Sequence, residues 1–259
     1  MDQEERLNYL LTCLRGEYPE ETRFPPVTGY AQKRALLHNL VNVRPPNLVS
    51  DSFIEVQDAF LQEEASQRGI VKLADIQPCP SDKRISLWLG DITRLGIDAI
   101  VNAANSRLLG CFVPGHSCID NAIHTFAGVQ LRQACHELIR AQGHDEPTGT
   151  AKITSAYNLP SRYVLHTVGP IVQGRLAQKH RDELASCYRS CLALAAGQGL
   201  ESIAFCCIST GEFRFPKREA AEIAVRTVRE LLANDAKIKR VVFNVFTDHD
   251  RKIYSDLLG

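Results

Sequence analysis

Three soft metal ligands crowd one short loop: Cys111, His116 and Cys118 stand within Gly110-Cys111-Phe112-Val113-Pro114-Gly115-His116-Ser117-Cys118. Thiolate and imidazole are donors that Zn²⁺ prefers, and structural zinc is nearly always closed by four protein ligands, whereas catalytic zinc keeps three and one open position. Two thiolates and a neutral imidazole balance the ion's charge, so that position would suit an oxygen of water or substrate. The spacing is unlike a zinc finger, in which a short ligand pair is followed by a second pair farther along. Pro114 and Gly115 make a hairpin-sized loop pliable enough to carry all three. Read from spacing alone, the loop fits equally well two incidental buried cysteines, since free cysteine is a common small core residue.

The loop runs straight into a helical pattern over 118–141, and further helical stretches lie near 178–197 and 216–233. Between them stand apolar runs of strand type: Ile85–Leu89, Ala99–Val101, Tyr163–Val168, Ile203–Ile208 and Val241–Phe246. Apolar strands separated by helices predict an α/β fold, a three-layer α/β/α sandwich with a parallel or mixed central sheet. Ligands in such sheets bind beyond the carboxyl ends of the strands. The unusual segments fall there: Gly90-Asp91-Ile92, Asn102–Asn105 with the cysteine loop, and Ser209–Phe213. Residues 1–70 read differently. Leu7, Leu10, Leu11 and Leu14 recur at helical spacing, as do Leu36, Leu37, Leu40 and Val41, and a third helix is expected to start at Ser52 with Glu55 completing a capping box. The expected organisation is a helical extension over 1–70, packed against a larger domain over 71–259.

The chain has 259 residues, 44% of them hydrophobic, with lysine plus arginine equal to aspartate plus glutamate at 30 each. That balance offers no bulk attraction to nucleic acid or to an anionic membrane, so neither is expected as a partner and any anionic ligand must be met locally. The polar start Met1–Arg6 does not read as a secretory signal and no apolar run is long enough to span a bilayer, which predicts a cytoplasmic protein. Nine cysteines then read as thiols and metal ligands rather than a disulfide framework. Cys187 and Cys191 fit a buried helix face, Cys206 and Cys207 the middle of a strand, and Cys13, Cys79 and Cys135 have no ligand neighbours in sequence.

Five blocks, taken in order, resemble the macrodomain family of ADP-ribose binders over roughly residues 70–259: Gly90–Thr93, Asp98–Asn105, Asp120–His124, His166–Pro170, and Ile208–Gly211 with Phe215-Pro216. Most macrodomains run glycines where this chain has Cys111–Cys118; that replacement resembles the zinc-dependent subgroup of microbial protein-ADP-ribose hydrolases, as does the helical extension. The resemblance implies Zn²⁺ as cofactor on Cys111, His116 and Cys118. It implies an adenine held by Asp91 and the Ile92 backbone, with Phe246 stacked on the base, and a distal ribose at Asn105. A diphosphate would lie between the helix start at Cys118, Ile119 and Asp120 and the loop Ser209, Thr210, Gly211, Glu212 and Phe213. By residue type alone Asp91 also reads as a turn cap, Asn105 as a turn asparagine and Phe246 as a core aromatic. Arg214 replaces a further glycine of many macrodomains and is assigned no role.

The implied reaction is hydrolysis at C1″ of the distal ribose, releasing mono-ADP-ribose from a modified protein side chain, an aspartate or glutamate ester. The expected catalytic residues are Asn105, Cys118 and Asp120, the last either assisting or only capping its helix. Zinc would polarise the ribose or ester oxygens, or activate water. A cognate ADP-ribosyltransferase is the implied partner enzyme. The alternative is a non-catalytic reader of ADP-ribosylated proteins whose zinc is structural or redox-sensing.

Overall fold

The computed structural model describes residues 1–22, 24 and 26–259. The chain runs α1 (Gln3–Arg15), α2 (Tyr30–Val43), α3 (Asp51–Arg68), β1 (Val71–Lys72), β2 (Ile85–Leu89), β3 (Leu95–Gly96), β4 (Ala99–Ala104), α4 (Ile119–Ala127) and α5 (Val129–Gln142). It continues through β5 (Ala151–Ser155), β6 (Tyr163–Val168), α6 (Gln178–Gly197), β7 (Ser202–Phe205), α7 (Lys217–Asn234), β8 (Arg240–Val245) and α8 (Asp248–Leu258). Six strands form one sheet in the order β2-β8-β7-β4-β6-β5, parallel except for β5 at the edge, which pairs antiparallel with β6.

Pleating sends alternate side chains of a strand to opposite faces. On β6, His166 faces Cys135 of α5 while Thr167 faces the α6 side, near Cys187. Helices α4 and α5 therefore cover one face, and α6, packed in turn on α7, covers the other. This is the three-layer arrangement expected. The central runs are apolar because both faces are covered: Ile100, Val101, Val164, Leu165, Val241 and Val242 have no measurable exposure.

Four sequence expectations are corrected. The 118–141 helix is two helices, because Gly128 adopts φ +99, a backbone that side chains resist, and a Cβ there would sit 2.6 Å from Gln57 and Gln130. Strand β7 ends at Phe205, so Cys206 and Cys207 lie beyond it. It pairs with β4 only at Ala99↔Ile203 and Ile100↔Ala204, its pairing with β8 ends at Phe205↔Phe243, and there the chain turns away. Strand β8 likewise ends at Val245, one residue before Phe246. Helix α3 is capped by Ser50, whose Oγ accepts from the Phe53 amide at 3.2 Å, and not by Ser52. Glu55 is exposed and takes no part in a box.

Helices α1 to α3 bury Leu7, Leu10, Leu14, Leu37, Phe53 and Phe60 among themselves, with Val129 of α5 joining them. Polar bonds fasten them to the sheet-covering layer. Gln57 accepts from the Val129 amide at 3.0 Å and donates to Gln130 at 2.6 Å, and Thr125 donates to Asn42 at 3.1 Å. Among the described residues no helix is long and apolar enough to cross a membrane.

Candidate functional site

Where β7 parts from β4, the sheet opens into a cleft of ≈ 580 Å³ at the carboxyl ends of the strands. The cysteine loop that follows β4 forms one wall and the loop after β7 the other. Asp91, Ile92, Asn105, Cys111, His116, Cys118, Ile119, Asp120, Ser209, Thr210, Gly211, Glu212 and Phe213 all line it.

Cys111, His116 and Cys118 place one ligand atom each within 4.8 Å of one another. Cys111 Sγ lies 3.2 Å from His116 Nδ1. Asn121 serves both sulfurs: its side-chain Nδ2 donates to Cys111 Sγ at 3.0 Å and its backbone amide to Cys118 Sγ at 3.4 Å. Donors aimed at sulfur favour the thiolate, the form that ligates metal. Burial pushes the Cys118 thiol up to about 12, and the neighbouring Cys111 adds to the rise. Two sulfurs this close ionise together only against a cation, so this donor set fits Zn²⁺. On its far side His116 Nε2 stands 3.4 Å from Glu212 Oε1, bridging the two cleft walls.

Asp120 does not cap α4. Cys118 takes that position, and the Asp120 carboxyl turns inward, buried, accepting from Asn102 at 2.8 Å and from Asn105 at 3.4 Å. Burial raises it to about 6, opposed by the Asn102 hydrogen bond and by Arg132. Asn105 spends its amide locally as well, donating to Gly110 O at 2.8 Å and accepting from the Arg107 amide at 3.0 Å. It thus ties the start of the cysteine loop to the end of β4. Beneath them His166 and His124 are buried; burial drives His166 down to about 3 and His124 well below the usual imidazole range.

At the opposite end Asp91 caps a short helical turn, accepting from the Thr93 amide at 2.9 Å, and Phe246 stands 77% exposed at the cleft edge while Phe243 is core. Between the two ends, the amides of Ile119 and Asp120 at the α4 start and of Gly211, Glu212 and Phe213 are not donated to any group among the described residues. Helix starts and small-residue loops with free amides suit phosphate. Ser209 approaches so closely (φ +65) that a Cβ on Gly169 would lie 2.0 Å from its Oγ, which explains that glycine. Arg214, in the glycine-like conformation at φ +57, is exposed.

The macro domain family model matches residues 101–224. The chain is 51% identical to a protein-ADP-ribose hydrolase of Treponema medium, over 100% of both chains, and 50% identical to one of Staphylococcus aureus (strain MRSA252), over 97% of this chain and 94% of that one. This chain belongs to the macrodomain family. A Trypanosoma brucei macrodomain solved in complex with ADP-ribose superposes with a TM-score of 0.67 at 32% identity, covering 90% of this chain and 97% of that one. An Oceanobacillus iheyensis macrodomain mutant solved with ADPR gives 0.61 at 39% identity, covering 66% and 90%. The first of these macrodomains covers too much of the chain to leave all of residues 1–70 unmatched.

Sequence reasoning gave no role to several cleft residues of this macrodomain. His38 arrives from α2, with Nε2 buried and unpartnered, and burial lowers its pKa. Lys217, at the start of α7, pairs with Asp250 at 2.9 Å. Asn244 donates to Gly90 O at 2.8 Å and so fixes the turn that presents Asp91. Only Asp250 left a local signal, three residues after the capping Thr247.

Proposed function

We propose that this macrodomain is a hydrolase that removes ADP-ribose from protein side chains, acting on aspartate and glutamate esters at C1″ of the distal ribose, with Zn²⁺ held by Cys111, His116 and Cys118. The observation that carries this reading is the placement of that ligand cluster in the same cleft as Asp91, at the end where Asn105 and the buried Asp120 meet. Full-length identity of 51% to a protein named for this hydrolysis supports it.

In this reading Asp91 and the Ile92 backbone take the adenine, Phe246 covers the base, and the free amides of the α4 start and of Gly211–Phe213 hold the diphosphate. The distal ribose then lies against Asn105, Asp120 and the cysteine loop. Zn²⁺ in this donor set supplies Lewis-acid polarisation of an oxygen at C1″ or in the ester. Asp120, buried beside the cysteine loop and held by Asn102 and Asn105, would pass a proton between water and the leaving side chain. Hydrolysis consumes one water; its oxygen and protons end on free ADP-ribose and the restored carboxylic acid.

The test uses carriers modified separately on acidic, serine and arginine side chains, each incubated with the protein with and without a zinc chelator. Release from the acidic carrier alone, stopped by chelator, is expected. Cys118→Ala should lower turnover by at least about a hundredfold while ADP-ribose binding stays within about tenfold. Full-rate release by metal-free Cys118→Ala removes zinc from the mechanism, and binding without release from any carrier makes the protein a reader.

A further inference from the structure

We propose that Arg68, the last residue of α3, is a positioning residue for recognition of the adenine base, and that the N-terminal helices thereby form part of the nucleotide site. The proposal rests on the reading of Asp91 as the group that accepts from the base's amino group.

The Asp91 carboxylate is held from both sides. Its Oδ1 accepts from the Thr93 amide at 2.9 Å and from the Thr93 hydroxyl at 2.6 Å. Its Oδ2 accepts from Arg68 Nη1 at 3.1 Å, and the same nitrogen donates to Thr93 Oγ1 at 3.1 Å. The guanidinium is itself fixed, lying 3.6 Å over the centroid of the Phe126 ring on α4. Asp91 lines the cleft, and Arg68 meets the carboxylate from α3 without reaching the cleft itself. Gly69, at φ +79, then turns the chain out of α3, and its carbonyl accepts from Arg94 Nε at 2.8 Å, a second tie between the extension and the Asp91 turn.

The pair is half-buried, and what matters here is its geometry rather than its contribution to stability. A carboxylate only accepts hydrogen bonds. Its Oδ2 spends one accepting position on Arg68 and keeps a second, which attracts the 6-amino group of adenine and opposes the 6-keto oxygen of hypoxanthine, itself an acceptor. Without Arg68 the carboxylate is held on its Oδ1 side alone, by Thr93, and that preference weakens. The planar, stackable guanidinium suits the role, whereas the ammonium of lysine is a point charge that neither stacks flat on Phe126 nor keeps a fixed donor direction.

The test is calorimetric titration of the full chain with ADP-ribose and with its hypoxanthine counterpart, for wild type, Arg68→Met, Arg68→Lys and Asp91→Ala. Arg68→Met keeps the apolar stem over Phe126, and Arg68→Lys keeps the charge should the first variant fold poorly. Each Arg68 variant should lose about fivefold to tenfold in ADP-ribose affinity, the worth of one ordinary net hydrogen bond, with the hypoxanthine ligand nearly unaffected. A loss equal for both ligands, or none for either, overturns the positioning role while a selective loss in Asp91→Ala upholds the base contact. An unchanged preference in Asp91→Ala overturns the base contact itself, and this proposal with it.

Discussion

The two ring nitrogens of His116 face different partners: Nδ1 toward Cys111 Sγ at 3.2 Å and Nε2 toward Glu212 Oε1 at 3.4 Å. A carboxylate that accepts from Nε2–H leaves Nδ1 unprotonated for the proposed zinc, and such outer partners typically change metal affinity by about ten- to a hundredfold. Because Glu212 is 75% exposed, the lower end applies: Glu212→Ala should release zinc to a competing chelator about tenfold more readily, and Glu212→Gln less so. Equal retention by all three proteins would leave Glu212 with the diphosphate alone. The clustering of Cys111, His116 and Cys118 was legible in the sequence because one loop of eight residues carries all three. Their supports were not: Asn121 acts through its backbone as well as its side chain, and Glu212 reaches His116 from the opposite wall of the cleft, which spacing along the chain does not reveal.

Among the elements, α5 depends on a cap borrowed from α3. Its N-cap position is Gly128, which has no side chain, and the Val129 amide is instead satisfied by the buried Gln57 at 3.0 Å. Gln57→Leu should therefore cost about 1–3 kcal/mol, the penalty of a buried donor left without a partner, read as a lower midpoint in denaturant unfolding with an unchanged slope. A shift within error would mean that water or Gln130 replaces the bond. The same junction shows where sequence patterning stops. Val241, Val164 and their neighbours marked the central strands because both faces are covered. Gly128 carries no such pattern: it adopts φ +99 where Gln57 and Asn158, from distant parts of the chain, leave no room for a Cβ. The antiparallel edge strand β5 was missed because Lys152 and Thr154 dilute its apolar signal, and α8 because Asp248, Asp250 and Lys252 crowd it with charge.

Across the whole molecule, a buried polar layer lies between the sheet and the α4–α5 layer, directly under the cleft: Asn102, Asp120, His124 and His166. Asn102 Nδ2 donates to Asp120 Oδ1 at 2.8 Å and approaches His166 Nδ1 at 3.2 Å, and an amide nitrogen only donates, so that ring nitrogen carries no proton. His166 Nε2 then donates to Thr154 Oγ1 at 2.9 Å. One neutral tautomer satisfies both bonds, and a second proton breaks the first. Burial accordingly lowers His166 to about 3 from 6.5. The unfolded chain therefore binds the extra proton between those values while the native state refuses it. The stability due to His166 is complete above pH 6.5 and is lost as pH falls toward 3. By pH 5 the loss from this residue reaches about 2 kcal/mol, with His124 adding to it in the same direction. Denaturant unfolding at pH 7.5 and pH 5, with chelator throughout so that zinc does not enter the balance, reads the effect. Wild type should lose about 2 kcal/mol more between the two pH values than His166→Gln, whose amide can still bond to Thr154 but cannot titrate. Identical losses would place the acid sensitivity elsewhere, and a larger loss in His166→Gln would reverse the sign on which the argument stands.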